Sequence, residues 1–142
     1  DKVEMSGTIR TFDDDVQKQV NEQVRQTAEH TAHAHGAEAE VTIVDNYATT
    51  VNDPELTAQM VPTLKKVAPQ RVFEAPLVTA SEDFSYYTRE VPGLFFFLGV
   101  TPMDKMKDAA PNHSPHFLVD DQALVTGIQA LSALTTDYLT SE

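Results

Sequence analysis

Cysteine is absent from the sequence, and this absence removes several kinds of chemistry. Without a thiol there is no disulfide, no thiolate nucleophile and no cysteine-ligated metal. Any metal site would have to use histidine, aspartate and glutamate side chains. A protein without thiols tolerates both oxidising and reducing surroundings, so the cytoplasm and the bacterial periplasm both remain open.

Basic residues are scarce as well. The 142 residues include 10 Lys and Arg against 22 Asp and Glu, which gives a formal net charge of −12. Such a charge repels phosphate backbones and anionic membrane surfaces over a Debye length of about 10 Å. We therefore expect no nucleic-acid partner and no binding to a membrane.

The sequence also has no long apolar run. The stretch LFFFLGV at residues 94–100 is typical of a buried strand, whereas a membrane-spanning helix needs about 20 apolar residues. There is no basic-then-apolar leader, and the first residue is Asp1 rather than a methionine. We expect a soluble protein that is either a mature form or an excised segment of a longer chain.

Four segments have the pattern of β-strands. Residues 3–12 (VEMSGTIRTF) and 39–47 alternate apolar and polar side chains, as half-buried strands do. The short segment RVFEA at residues 71–75 and the apolar run at residues 94–100 are the other two. Since helical patterns lie between these segments, the sequence predicts an α/β fold, and its first fifty residues have the order β-α-β.

Capping residues mark the predicted helices. The acidic residues 13–15 begin the first helix and Gly36 ends it. Asp53 is a suitable N-cap for the second helix, and Pro54 suits its first position. The second helix is expected to end near Pro69.

Two more helices are predicted in the second half of the chain. Ser81 can cap a turn or short helix in SEDFSYYTRE, and Asp120 and Asp121 begin a final amphipathic helix. Residues 101–118 are polar, contain prolines and have no periodicity. They are therefore predicted to form a loop.

This loop carries the segment PNHSPHF at residues 111–117, with His113 and His116 on either side of Pro115. Two interpretations are open. The histidines are incidental loop residues, or the loop contributes to a site, because α/β proteins often assemble sites in loops that follow a buried strand. Pro115 would stiffen the backbone that aims His113. One imidazole cannot hold a metal alone.

Other polar clusters have simpler explanations. His30, His33 and His35 lie at the end of the first helix, where a polar or cationic ring interacts favourably with the helix dipole. Glu82 and Asp83 are explained by capping and first-turn charge about as well as by catalysis.

Arg10 has two interpretations as well. It is either a solvated strand residue or a bidentate anchor for a carboxylate.

Four motifs in register carry a family resemblance. They are GTIRTFD (7–13), SEDFSYY (81–87), VPGLFFFLGV (91–100) and NHSPHF (112–117). Together they resemble the metal-dependent amidohydrolase and metallopeptidase family of aminoacylases, hippurate hydrolases and indole-acetyl-amino-acid hydrolases. Their order and spacing agree over essentially the whole chain.

The resemblance implies a domain organisation. In that family a two-metal, zinc-peptidase-like catalytic domain is interrupted by a ferredoxin-like satellite domain of βαββαβ topology, which acts as a lid and commonly as the dimerisation surface. Residues 1–50 look like the last β-α-β of the satellite domain, and residues 51–142 look like the carboxy-terminal part of the catalytic domain. The chain would be about the second half of a longer, homodimeric enzyme.

The resemblance also implies roles for individual residues. His113 matches the family's final metal ligand, on one of two divalent ions that are usually zinc and sometimes manganese or cobalt. Arg10 matches the arginine that binds the substrate's carboxylate. Backbone groups near Ala80 and Ser81 match a segment that lines the substrate pocket, whereas His116 stands where the family varies and is treated as a loop residue.

The same resemblance implies a reaction that this chain does not complete. The general base and the other metal ligands belong to the amino-terminal half in that family, so no catalytic residue is assigned here. The chain alone is expected to be inactive and not to retain the ions. The parent enzyme would hydrolyse N-acyl amino acids or small peptides by attack of a metal-bound water on the amide. The alternative is a non-enzymatic dimerisation or interaction module.

Overall fold

The computed structural model describes residues 2–141, and about half of them are helical. No helix in this part of the chain is both long enough and apolar enough to cross a membrane. The helices are α1 at Asp14–Ala34, α2 at Pro54–Val67, α3 at Phe84–Glu90, a 3₁₀ helix at Met103–Asp108 and α4 at Asp121–Thr140.

The chain divides into two compact units. The first unit comprises residues 2–51 and 77–91, and so contains α1 and α3. The second unit comprises residues 52–76 and 92–141, with α2, the 3₁₀ helix and α4. A change of unit thus follows residue 51, close to the predicted boundary, but α3 and the segment before it go with the first unit. The satellite and catalytic assignments stay predictions.

Helix α1 begins and ends as its sequence predicts. The Asp13 carboxylate accepts hydrogen bonds from two backbone N–H groups of the first turn, at 2.8 and 2.9 Å. At the other end Gly36 has a φ of +71°. There the Gly36 N–H donates to the His33 carbonyl and the Ala37 N–H to the Ala32 carbonyl. This is the Schellman pattern, which glycine favours because it has no Cβ to clash in the left-handed region.

The predicted caps of α2 and α4 are also confirmed. Asp53 accepts from the Leu56 N–H at 2.7 Å, and Pro54 occupies the first helical position. Asp120 accepts from the Gln122 N–H at 3.0 Å. Each side-chain oxygen satisfies a donor that has no partner inside its own helix.

The core of the second unit lies where α2 packs against α4. Met60 and Leu64 of α2 and Ala130 of α4 are buried. The Thr63 hydroxyl, also buried, donates to the Asp137 carboxylate on α4, so that a polar group in the contact is satisfied. Burial of this apolar face, together with the caps, stabilises α2 and α4, and α4 begins just after the segment that contains His113 and His116.

The predicted strands are not confirmed. Residues 3–12, 39–47, 71–75 and 94–100 form no strand in the described part of the chain. A strand exists only where its backbone N–H and C=O groups pair with a neighbouring strand. Period-2 alternation shows which side chains share a face and does not supply the neighbour. The ferredoxin-like arrangement predicted for residues 1–50 is accordingly not confirmed.

Side chains and single backbone bonds hold the apolar segment 94–100 instead. The Asn52 amide donates to the Phe95 carbonyl at 2.8 Å and accepts from the Phe95 N–H at 2.7 Å. At the other end of the segment the Asp120 N–H donates to the Val100 carbonyl at 2.9 Å. The segment is therefore tied to the start of α2 and the start of α4, and the loop that contains His113 and His116 lies between its end and α4.

Two local predictions were wrong. Ser81 does not cap a helix: α3 begins at Phe84, and Asp83 occupies the N-cap position without a side-chain cap. The Ser81 hydroxyl instead accepts a hydrogen bond from Arg10. Residues 101–118 are not loop throughout, because Met103–Asp108 form a 3₁₀ helix. Such short helices need little side-chain periodicity, which is why the sequence pattern missed it.

Candidate functional site

The predicted site residues belong to both compact units. Arg10, Ala80 and Ser81, predicted to bind substrate, are in the first unit. His113, predicted to bind metal, is in the second unit.

Arg10 and Ser81 lie in direct contact in the first unit. Arg10 Nη1 donates to the Thr79 carbonyl at 2.8 Å and to Ser81 Oγ at 2.9 Å. The guanidinium is at the surface. Arg10 and Ser81, which come from two motifs of the same family resemblance, are thus neighbours in space although they lie 71 positions apart in sequence.

Ala80 is exposed between the two acceptors of Arg10, so its side chain is not needed for that contact. Thr79 was missed by sequence reasoning. Its contribution is a backbone carbonyl, which every residue carries, so no side-chain pattern could have identified it. Ser81 was predicted to act through its backbone, whereas its hydroxyl is the atom in contact with Arg10.

Helix α3 follows this segment and is anchored within the first unit. The Tyr86 hydroxyl donates to the Asn46 carbonyl, and the Tyr86 ring lies 6.1 Å from that of Tyr47. Arg89 pairs with Asp14 at the start of α1, at 2.6 Å. These contacts fix the segment just after residues 79–81, which limits how far the acceptors of Arg10 can move.

The loop of the second unit consists of two consecutive tight turns. The Ser114 N–H donates to the Pro111 carbonyl at 3.1 Å, and the Phe117 N–H donates to the Ser114 carbonyl at 3.0 Å. The Ser114 hydroxyl also accepts from the His116 N–H at 3.1 Å. His113 is the third residue of the first turn and has a φ of +67°. That is the position where a type II turn requires a positive φ and usually has glycine.

A left-handed backbone is unfavourable for histidine, by roughly 1–2 kcal/mol. Such strain persists only where the surroundings impose it, and it is enriched at functional sites. The signal is not specific, because Gln70 has a φ of +60° in the turn after α2. His113 is exposed, and no hydrogen bond of its ring is seen within residues 2–141. The backbone of the loop is therefore defined, and the ring is accessible.

No metal centre is complete in the described residues. Within residues 2–141 there is no group of three or more histidine, aspartate or glutamate side chains placed to hold an ion. A protein metal site ordinarily needs at least three such donors. His113 alone does not meet this requirement, so its role as a ligand remains a prediction that depends on donors outside these residues.

The remaining polar clusters do not add a second site. His30 and His33 line an open depression at the end of α1, together with Glu29 and Glu38. In residues 2–141 these side chains are not placed so that three of them could bind one metal ion. His33 lies in the last turn of α1, where the dipole interpretation places it. Asp83 makes no capping bond, so that part of its simple explanation is not seen.

A sequence profile identifies the family. The profile of the peptidase family M20/M25/M40 matches residues 4–137, which is nearly the entire chain. The chain belongs to this family. Membership confirms the resemblance seen in the four motifs and supports the predicted α/β class, while the described residues themselves form helices and no strand.

Characterised hydrolases are among the similar proteins. A thermostable carboxypeptidase of Saccharolobus solfataricus is 35% identical over 139 residues, which is 97% of this chain and 35% of the relative. An IAA-amino acid hydrolase of Arabidopsis thaliana is 30% identical over 98% of this chain and 32% of its own length. An N-acetylcysteine deacetylase of Bacillus subtilis is 29% identical over 98% of this chain and 35% of its own length.

The chain therefore spans about a third of the length of the curated relatives it matches. No solved structure matches it significantly. The relatives are hydrolases that act on amides or peptides, and the M20 family is generally metal-dependent.

Proposed function

We propose that this chain is the carboxy-terminal part of an M20 amidohydrolase that cleaves N-acyl amino acids or small peptides. This proposal is supported by the relatives named above, a carboxypeptidase, an IAA-amino acid hydrolase and an N-acetylcysteine deacetylase. The chain's role in such an enzyme would be to bind the substrate's carboxylate and to supply one metal ligand.

The contact between Arg10 and residues 79–81 carries this proposal. An arginine held at the surface by a serine hydroxyl and a carbonyl is a suitable anchor for a carboxylate, because its planar guanidinium can donate two parallel hydrogen bonds. Arg10 would hold the carboxylate of the amino acid that leaves on hydrolysis. Ala80 and Ser81 would line the same pocket.

His113 would be one ligand of the family's two divalent ions, with zinc, manganese or cobalt as the candidates. The remaining ligands and the general base would come from other parts of the parent enzyme. Bound divalent ions supply Lewis acidity and make water a stronger nucleophile near neutral pH. The contribution of this chain is a ring at the surface on a backbone fixed by two turns.

The exposed apolar side chains of α4 support the view that a larger protein covers this chain. Leu124, Ile128 and Leu131 follow the spacing of a helix face that packs on a core, yet their exposed fractions are 51%, 67% and 59%. Within the described residues the apolar segment 94–100 also has no neighbouring strand. Both features would be satisfied by further parts of a catalytic domain.

Activity measurements on the full-length enzyme and on this chain test the proposal. The full-length enzyme is expected to hydrolyse N-acetyl and N-benzoyl amino acids when zinc or manganese is added, and this chain alone to show no turnover. Absence of hydrolysis by the metal-loaded full-length enzyme over a panel of such substrates would contradict the proposal.

The alternative of a non-enzymatic interaction module is not favoured, since the matching relatives are hydrolases. Association between copies is compatible with the enzyme. We propose a homodimer formed through residues 1–50, and light scattering of the full-length enzyme would test it: a monomer at micromolar concentration would exclude this dimer.

A further inference from the structure

The hydrogen bonds of Arg10 use one of its two terminal nitrogens. Nη1 donates to both the Thr79 carbonyl and Ser81 Oγ. A guanidinium has five N–H donors, two on each terminal nitrogen and one on Nε. Two acceptors on Nη1 account for both of its hydrogens. The edge formed by Nε and Nη2 makes no hydrogen bond to residues 2–141.

The two hydrogen-bond partners of Arg10 are neutral, as is the Val41 carbonyl that Arg25 contacts. The sequence has 22 acidic residues against 10 basic ones, yet Arg10 has no ion pair in the described residues. Arg89 in the same unit is the contrasting case, because Asp14 neutralises it at 2.6 Å. Neutral acceptors orient a guanidinium without neutralising its charge. Arg10 therefore keeps its charge available for an anion.

The two acceptors also fix the plane of the guanidinium. The group is rigid and planar, so holding Nη1 at two points limits its rotation. A carboxylate that binds two parallel N–H groups can use the edge of Nη1 and Nη2 or the edge of Nε and Nη2. The first edge is engaged by Thr79 and Ser81, and the second remains for a ligand.

We propose that the Ser81 hydroxyl is a positioning group that orients Arg10 so that its Nε and Nη2 edge receives the substrate's carboxylate. Ser81 acts through Arg10 and does not itself contact the carboxylate. Helix α3, anchored to Asn46 and Asp14, supports the segment that holds the hydroxyl. This inference rests on the proposed function, in which Arg10 is the carboxylate anchor.

The test compares two substrates in the full-length enzyme: an N-acetyl amino acid and its carboxamide, which lacks the carboxylate. Ser81→Ala is expected to raise KM for the acid about 3- to 10-fold, the range for one lost hydrogen bond, and to leave kcat within about twofold. The value of kcat/KM for the carboxamide should stay unchanged. Ser81→Thr, which keeps the hydroxyl, should restore the preference for the acid.

Ser6→Ala is the matched control, because Ser6 is an exposed serine of the same unit without a part in the Arg10 contact. A double variant, Arg10→Ala with Ser81→Ala, should resemble Arg10→Ala alone, since the hydroxyl has no effect without the guanidinium. Equal losses on both substrates with Ser81→Ala would indicate a structural role and overturn the inference.

The outcomes also separate this inference from the proposed function. If Arg10→Ala abolishes the preference for the acid while Ser81→Ala does not change it, the positioning role is wrong and the carboxylate anchor stands. If Arg10→Ala leaves the preference intact, the anchor role itself is wrong, and the positioning role is wrong with it.

Discussion

The two predicted site regions are organised in different ways. Arg10 in the first unit is held through its side chain, by acceptors that are distant in sequence. His113 in the second unit is held through its backbone, by turns between close neighbours, and its ring has no described partner. The proposed carboxylate anchor is thus held by contacts within this chain, whereas the proposed metal ligand is placed by its local turns and would need donors from outside residues 2–141.

This difference predicts which changes affect chemistry and which affect stability. Substitution of a side chain that acts only with partners outside these residues should leave the chain's own stability unaffected. Substitution of a residue that shapes the turn or caps a helix should change stability directly.

His113→Ala in the full-length enzyme should lower kcat by more than about 100-fold. Removing the hydrogen-bond partner of a metal ligand already lowers activity by about 10- to 100-fold, and removing the ligand itself should lower it further. His116→Ala is the matched control on the same loop and should stay within about twofold of the native enzyme. Steady-state kinetics on an N-acetyl amino acid measure both. Comparable losses of kcat in the two variants would show that activity depends on the structure of the loop and not on the His113 ring.

Arg10→Lys should lower kcat/KM for substrates with a free carboxylate by about 10- to 100-fold. Lysine keeps the positive charge but cannot donate two parallel hydrogen bonds from one rigid plane. Arg71→Lys, at another exposed arginine, should have no effect. Full activity of Arg10→Lys would show that the positive charge at this position is sufficient and that two parallel hydrogen bonds are not required.

Asp120→Ala should lower the free energy of unfolding of the chain by about 1 kcal/mol, because the Gln122 N–H loses its acceptor at the start of α4. Asp121→Ala removes a negative charge from the first turn of α4 but no capping hydrogen bond. It should lower the free energy of unfolding by only about 0.3 kcal/mol. Urea denaturation midpoints at constant m-value would distinguish the two. Equal shifts would contradict the capping role of Asp120.

His113→Gly should raise the free energy of unfolding slightly, by about 0.5 kcal/mol. Relief of the left-handed backbone is worth roughly 1–2 kcal/mol, and the entropy that glycine loses on folding offsets part of it. Gln70→Gly, at the other positive φ, should behave similarly, and His116→Gly should destabilise. A loss of stability on His113→Gly would show that the turn is not strained.

The long helices α1, α2 and α4 could be predicted from the sequence, whereas the 3₁₀ helix was missed and the predicted strands are not formed in residues 2–141. The boundaries of α1, α2 and α4 depend on local chemistry: a carboxylate that caps, a proline in the first turn or a glycine in the left-handed region. A strand depends on a neighbour that local sequence does not specify. The alternation in residues 3–12 therefore predicted a strand that the described residues do not form.

The candidate site was also predictable only in part, because sequence motifs identify residues but not the contacts between distant segments. Motif resemblance singled out Arg10, Ser81 and His113. It did not show that the Ser81 hydroxyl contacts Arg10, because that contact joins segments 71 positions apart. Nor did it show the positive φ of His113, since the turn has asparagine and histidine where glycine would have signalled it.

The number of metal ions bound to the full-length enzyme shows whether His113 is a metal ligand. The native enzyme, His113→Ala and His116→Ala would be purified in parallel with added zinc, and bound metal counted by plasma mass spectrometry. We predict that His116→Ala keeps the native content and that His113→Ala loses at least one ion per chain. If His113→Ala retains the full native content, His113 is not a metal ligand and the account of this loop is wrong.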